Sequence, residues 1–243
     1  THFTFLDKLN VHYATSIFDV TANSNIVNDH VEVKLQSAYT KSGSSIRYYF
    51  LDEKAYLDIK KYSDDQPILL TKSSKMKAQY FENDVALGHA LTEEYLIHKA
   101  LNKQITSDIE PSKYYHEGGL PKLLDAKAGH APRISSDWLG WSGQNPVLII
   151  DLGKSQDLSN LNIYTLKEEM NWIYLPSKIE VSWSSDGTNY EDGRPMNAES
   201  IMKAYTENGL NYSLHHVNAR YLKLHFTCAP KIPKGKPGEG EDA

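Results

Sequence analysis
The 243-residue chain has a single cysteine, Cys228, so no disulfide can form within it. Whatever fold it adopts must therefore rest on a hydrophobic core rather than on covalent staples. No stretch approaches 18 apolar residues, which excludes a membrane-spanning helix. The opening "THFTFLDKLN" lacks a basic region followed by an apolar run and is not a signal peptide; it reads as the middle of a longer protein. Positive charge is also short. With 26 Lys and Arg against 31 Asp and Glu, the net charge of −5 argues against nucleic acid or an anionic membrane as the main partner. There is no GxSxG, no Walker loop and no CxxC. Phe is scarce at six, whereas Tyr reaches sixteen and Trp four. Tyr and Trp pair a flat apolar body with a polar edge, which suits β-surfaces and sugar-binding faces alike.

What is present is a period of two. Val31, Val33 and Leu35 alternate with Glu32, Lys34 and Gln36. Met76, Ala78 and Tyr80 alternate with Lys75, Lys77 and Gln79, and Leu222, Leu224 and Phe226 with Tyr221, Lys223 and His225. Such runs predict strands with one buried and one wet face. "PVLIIDLG" at 146–153 is apolar on both faces and is expected to be a central strand. Turn signals fall at 41–45, 63–66, 184–188 and 207–209. In "SKIEVSWSSDGTNYE", Ile179, Val181 and Trp183 are expected to point inward, and Asp186-Gly187 to make the tight reversal of a hairpin. Only 5–13 and 199–205 read as helical. The expected class is all-β, in two sandwiches: residues 1–105 and 106–243, joined by a polar stretch around 102–113 that contains Pro111. That short linker, stiffened by Pro111, predicts a restricted joint.

Several motifs invite catalytic readings. "HEGG" at 116–119 is followed by Leu120 and Pro121, so it lacks both the second His of a zinc HExxH and a nearby Asp-Glu pair. The bland reading, a glycine-bearing loop entering the sandwich, outweighs the catalytic one. Glu168-Glu169 reads as solvated surface before it reads as an acid/base pair. Trp138 and Trp141 sit just before the apolar 146–153 strand. One of His215 and His216 is expected to face inward and the other outward, with no third metal ligand near.

Taken together, several segments resemble known families. "YYHEGGLPKLLDAKAG", "SDWLGWSGQNPVLIIDLGKSQDLSNLNIYTL", "WIYLPSKIEVSWSSDGTNYE" and "ARYLKLHF" resemble a coagulation factor V/VIII type C domain. That discoidin-like, galactose-binding-like jelly roll is shared with family 32 carbohydrate-binding modules, and it implies that one of Trp138 and Trp141 is core. "KMKAQYFENDVALGHALTEEYLIHKAL" is similar to the immunoglobulin-like C-terminal module of chitobiases and β-hexosaminidases, although the usual TxDGxxPT turn is replaced by "YYFLDEKAYLD". "LDKLNVHYATSIFDV" at 6–20 looks like the junction with a preceding family 20 catalytic barrel, and "NWIYLP" with "PKIPKGKPGEG" like the tail of bacterial family 20 enzymes.

The resemblance implies a non-catalytic carbohydrate-binding region of a bacterial β-N-acetylhexosaminidase (a hydrolase of the glycosidase type). Its partners would be a glycan containing N-acetylhexosamine or galactose and the catalytic domain of the same polypeptide. The address would be periplasmic, cell-surface or secreted. Two other readings stay open: modules that only pack on and stabilise the barrel, and an independent enzyme. Sugar recognition is expected on loops holding Tyr115, His116, Trp138, Lys167, Asn171 and Trp172, since a pyranose needs an aromatic face and hydrogen-bonding groups. Trp172 is the leading stacking residue, with a core-facing strand entry as its alternative. The resemblance also implies a structural Ca²⁺ at Asp125, with carbonyls near Leu123, Lys127 and His130. The second domain is expected to lack its last strand, and His130 stands where the resemblance implies a small hydroxyl residue, so that site is expected to be weak at most.

Overall fold
The computed structural model describes residues 14–51, 58–129, 135–206, 209–228, 231–232 and 234–241, together with Phe5, Lys8 and Leu9. The chain is all-β and folds as two compact units, residues 1–101 and 102–243.

Unit 1 pairs β1 (Val20–Val27), β2 (His30–Ser37) and β5 (Ile68–Leu70) in one sheet. A second sheet has the order β4 (Lys60–Lys61), β3 (Ser44–Phe50), β6 (Ser74–Glu82), β7 (Val85–Tyr95). The two-residue period sets the buried faces: Val31, Val33 and Leu35 of β2 and Met76, Ala78 and Tyr80 of β6 are all buried. Phe18, Tyr39 and Tyr80 form an aromatic cluster with ring centroids 5.0–6.1 Å apart. β6 and β7 are joined by Asn83 and Asp84, both at positive φ, the two-residue loop whose twist matches that of the flanking strands. Ser63 and Gln66 bridge where a turn is expected.

Unit 2 is built on a six-stranded sheet ordered β11 (Glu191–Asp192), β10 (Lys178–Ser184), β13 (Leu210–Thr227), β9 (Val147–Ile163), β8 (Gln104–Ser107), with β12 (Met196–Asn197) also on β10. The 146–153 segment opens β9, an interior strand as expected, with Leu148, Ile150 and Leu152 buried. Helix α1 (Ala198–Ala204) lies where 199–205 predicts one; the Asn197 side chain accepts from the Ser200 N–H at 2.9 Å and caps it. The expected helix at 5–13 and turn at 207–209 fall largely outside the described residues, although Thr206 and Gly209 form a bridge.

Three expectations are corrected. The stretch 102–113 is not simply a linker: residues 104–107 are β8, paired with β9, so the division falls after Leu101 rather than Ile105. A polar four-residue edge strand leaves no hydrophobic periodicity to read. Trp183 does not join Ile179 and Val181 in the core. It is half-buried, packs over Gly193 and donates to Glu191 at 3.3 Å, because β11 folds across the end of β10. His215 and His216 are both exposed and both at positive φ (52° and 62°), inside a bulge of β13 where the register with β9 shifts between Ser213 and Val217.

Candidate functional site
The loop after β9 carries the densest group of functional side chains. Its "KEEMN" run has no strand period and closes as a 3-10 turn, Glu169–Asn171. Trp172 ends that turn in the left-handed region (φ 63°), and reciprocal backbone bonds between Glu168 and Ile173 (3.0 and 3.2 Å) pinch its base. Asn171 donates to the Glu168 carboxylate at 2.9 Å. Glu169 is gripped by Lys236 at 2.5 Å and Lys167 at 3.2 Å. Lys236 and then Lys167 hold the Glu169 carboxyl below its ordinary range, and Glu169 in turn raises the Lys236 ammonium. Neither Glu168 nor Glu169 is poised as an acid/base pair; both tie down the loop.

The Gly-rich tail completes the grip. Ile232 is buried, and its backbone pairs with Glu241 (2.9 Å) and Gly240 (3.1 Å), closing a compact loop. Gly238, at φ +81°, lies against the Trp172 indole so closely that an added Cβ would stand 2.6 Å from Cε2. The Tyr174 hydroxyl reaches the Pro237 carbonyl at 3.4 Å. Trp172 is thereby braced on Gly238 yet 49 % exposed, and its indole N–H has no partner among the described residues.

Behind this loop lies a cavity of about 490 Å³. Tyr115, Trp138, Asn171 and Trp172 line it; His116 and Lys167 do not. Tyr115 is set by backbone bonds from its N–H to Ser112 (2.8 Å) and from Gly140 to its carbonyl (3.1 Å). Trp138 packs over Gly129, where a Cβ would come within 2.3 Å of the ring. Trp141 is anchored by a 2.9 Å bond from Nε1 to the Ile109 carbonyl; both tryptophans are half-buried. His116 is exposed, and Lys167 turns to Glu169. Four of the six expected residues therefore share one cavity. Sequence reading missed Tyr164, Thr165 and Tyr174, which also line it, and the role of Gly238. Extending the β9 period through "NIYTL" places Ile163 and Thr165 on one side. Nothing in a Lys/Gly/Pro run signals that it packs on a tryptophan.

Asp125 closes the 3-10 turn Leu120–Leu124, and its Oδ1 accepts the Lys127 N–H at 2.9 Å. Burial raises its pKa, against the pull of that hydrogen bond and of Lys122 and Lys127. The Leu124 carbonyl is taken by the Asn102 N–H at 3.1 Å, and His130 lies outside the described residues. Calcium asks for six to eight oxygens and favours several carboxylates. One half-engaged carboxylate beside two ammonium groups fits it poorly. Among the described residues no three His, Cys, Asp or Glu side chains come together as a metal cluster. No described helix is long and apolar enough to cross a membrane.

No family model and no curated protein matches this chain. Solved structures do. A chitosan-binding module of a Paenibacillus chitosanase/glucanase shares 18% identity, covering 59% of this chain and 92% of its own, with a TM-score of 0.37. A fucose-binding module of Streptococcus pneumoniae gives 15%, 60% and 89%, with a TM-score of 0.41. The C-terminal domain of a Bacteroides fragilis chitobiase gives 20%, 60% and 90%, with a TM-score of 0.38. At these identities and scores the likenesses assign neither a family nor a ligand.

Proposed function
We propose that unit 2 is a non-catalytic carbohydrate-binding module in which a sugar ring stacks on Trp172. The observation that carries this reading is the state of that indole: half-exposed, braced from behind by Gly238, its N–H without a partner among the described residues, and with Asn171 beside it. An exposed aromatic face covers the C–H side of a pyranose while neighbouring amides and hydroxyls meet its oxygens. Bracing matters because a ring already held in place loses less freedom on binding. Tyr115 and Trp138 extend the aromatic surface, whereas His116 and Lys167 act at most from the periphery.

The sequence resemblance supports the wider assignment. In it, this region belongs to a bacterial β-N-acetylhexosaminidase at the cell surface, in the periplasm or outside the cell, and holds glycan near the catalytic domain. Unit 1, immunoglobulin-like by the same resemblance, serves as the structural module that packs against the catalytic barrel. Calcium at Asp125 is at most a weak structural addition. The test is a glycan array of the full chain followed by titration of the best hit against wild type and Trp172→Ala. The expected result is a loss of about 1–3 kcal/mol of binding, the range for a nucleic-acid base stacked on an aromatic side chain, taken as a guide for a ring of similar size. Affinity that survives Trp172→Ala would refute the placement. Turnover of an aryl N-acetylglucosaminide by the chain alone would refute the non-catalytic assignment.

A further inference from the structure
The cavity is larger and more apolar than a sugar ring needs. Its rim holds Trp172 and Asn171, but its depth is walled by Leu148, Ile150 and Leu224 from the sheet, all nearly fully buried, together with Phe226. Protein interiors pack without voids of this size, and hollows walled mainly by apolar groups hold water poorly. A volume of about 490 Å³ is instead in the range that encloses whole small ligands. Polar side chains also reach the lining, among them Ser112, Lys122, Lys127, Asp137 and Asn162. The Thr165 hydroxyl oxygen is fully buried and has no hydrogen-bond partner among the described residues, so it stands behind the wall rather than on it.

We propose that unit 2 binds amphiphilic glycosides, with the sugar on Trp172 at the rim and an alkyl or aryl aglycone inside the cavity. The inference rests on the carbohydrate reading above and adds the class of ligand. A chain of methylenes gains from the aliphatic depth in proportion to the area it removes from water. Neither a free oligosaccharide nor a plain hydrocarbon meets both halves of the site.

Cys228 gives a direct readout, because the only cysteine of the chain lines this cavity. The experiment titrates the full chain with methyl and n-octyl members of a β-galactoside and a β-N-acetylglucosaminide pair, below micelle formation, with 1-octanol as a third arm. N-ethylmaleimide labelling of Cys228 is followed in parallel. For the sugar that binds, the octyl member is expected to bind at least tenfold tighter than the methyl member and to slow Cys228 labelling, which the methyl member does not. Leu123→Trp, a substitution at a partly exposed lining position, is expected to abolish the difference between members. Trp172→Ala is expected to weaken both. Equal affinity of the two members with unaltered labelling overturns the inference and leaves the carbohydrate reading standing. Protection by 1-octanol equal to that of the octyl glycosides, insensitive to Trp172→Ala, overturns both.

Discussion
Gly238→Ala tests the braced indole most directly. The new methyl would stand 2.6 Å from Cε2 and 2.7 Å from Nε1 of Trp172, and 2.8 Å from Ile232 Cδ1. Ordinary carbon contacts lie at about 3.5–4.0 Å, so both neighbours would have to give way. A residue with a Cβ also pays about 1–2 kcal/mol for the left-handed conformation that Gly238 adopts. Overpacking adds about 1–3 kcal/mol, for a strain of about 2–5 kcal/mol if the tail stays in place. The tail can escape by lifting off, which forfeits the burial of Ile232, worth about 1.5–3 kcal/mol. Lifting is the cheaper course, so it sets the ceiling: the expected loss of stability is about 1.5–3 kcal/mol. The assay is urea unfolding combined with tryptophan emission, with Trp172→Phe as the background that identifies the signal of this ring. Emission should shift to longer wavelength as water reaches both faces of the indole. Gly235→Ala is the control, since Gly235 has the same φ of +81° but nothing within 4 Å of the added methyl. Equal losses in the two variants, with Trp172 emission unchanged, would refute the bracing contact.

The remaining predictions concern the same unit. Because Glu169 titrates below its ordinary 4.5, its pairing with Lys236 contributes fully above that value and is lost as pH falls through the lower folded-state value. Acid titration of Trp172 emission should therefore show a transition below pH 4.5 that disappears in Lys236→Met; a transition unaffected by that change would place the cause elsewhere. Calorimetry with Ca²⁺ is expected to give binding of about 10⁻⁴ M or weaker, and micromolar binding abolished by Asp125→Ala would show that the oxygen set was underestimated. Ile179→Ala empties a fully buried position and should cost about 2–5 kcal/mol in equilibrium unfolding; a loss under about 1 kcal/mol would mean that the site collapses around the gap.

Much of the strand structure was legible because burial in a sheet imposes a period of two. Val31 to Leu35, Met76 to Tyr80 and Leu222 to Leu224 all declare their inner faces in this way. Where the period fails, the reason is local. Gln104–Ser107 is a polar edge strand, recognisable only by its pairing with β9. Trp183 keeps the alternation but is covered from the side by Gly193 and β11, a tertiary packing no window of sequence contains. At the site, Tyr115, Trp138, Asn171 and Trp172 could be chosen by chemistry, since aromatic and amide groups are what a sugar asks for. Lys167 has the right chemistry on the same grounds, but its charge is committed to Glu169. The tail was the least legible part, because what a glycine packs against is invisible without a third dimension.

The bulge at His215 and His216 has a consequence for how β13 breathes. Its ladder with β9 skips from Ser213 to Val217 and again from Ala219 to Tyr221, so the 18-residue strand is hydrogen-bonded in separate blocks. Non-glycine residues held at positive φ add local strain at the first gap. Native-state hydrogen exchange should accordingly divide the strand. The amides of His215 and His216 would open without unfolding of the unit, while those of Leu222 and Leu224, paired on both sides by β9 and β10, would exchange only when the whole sheet comes apart.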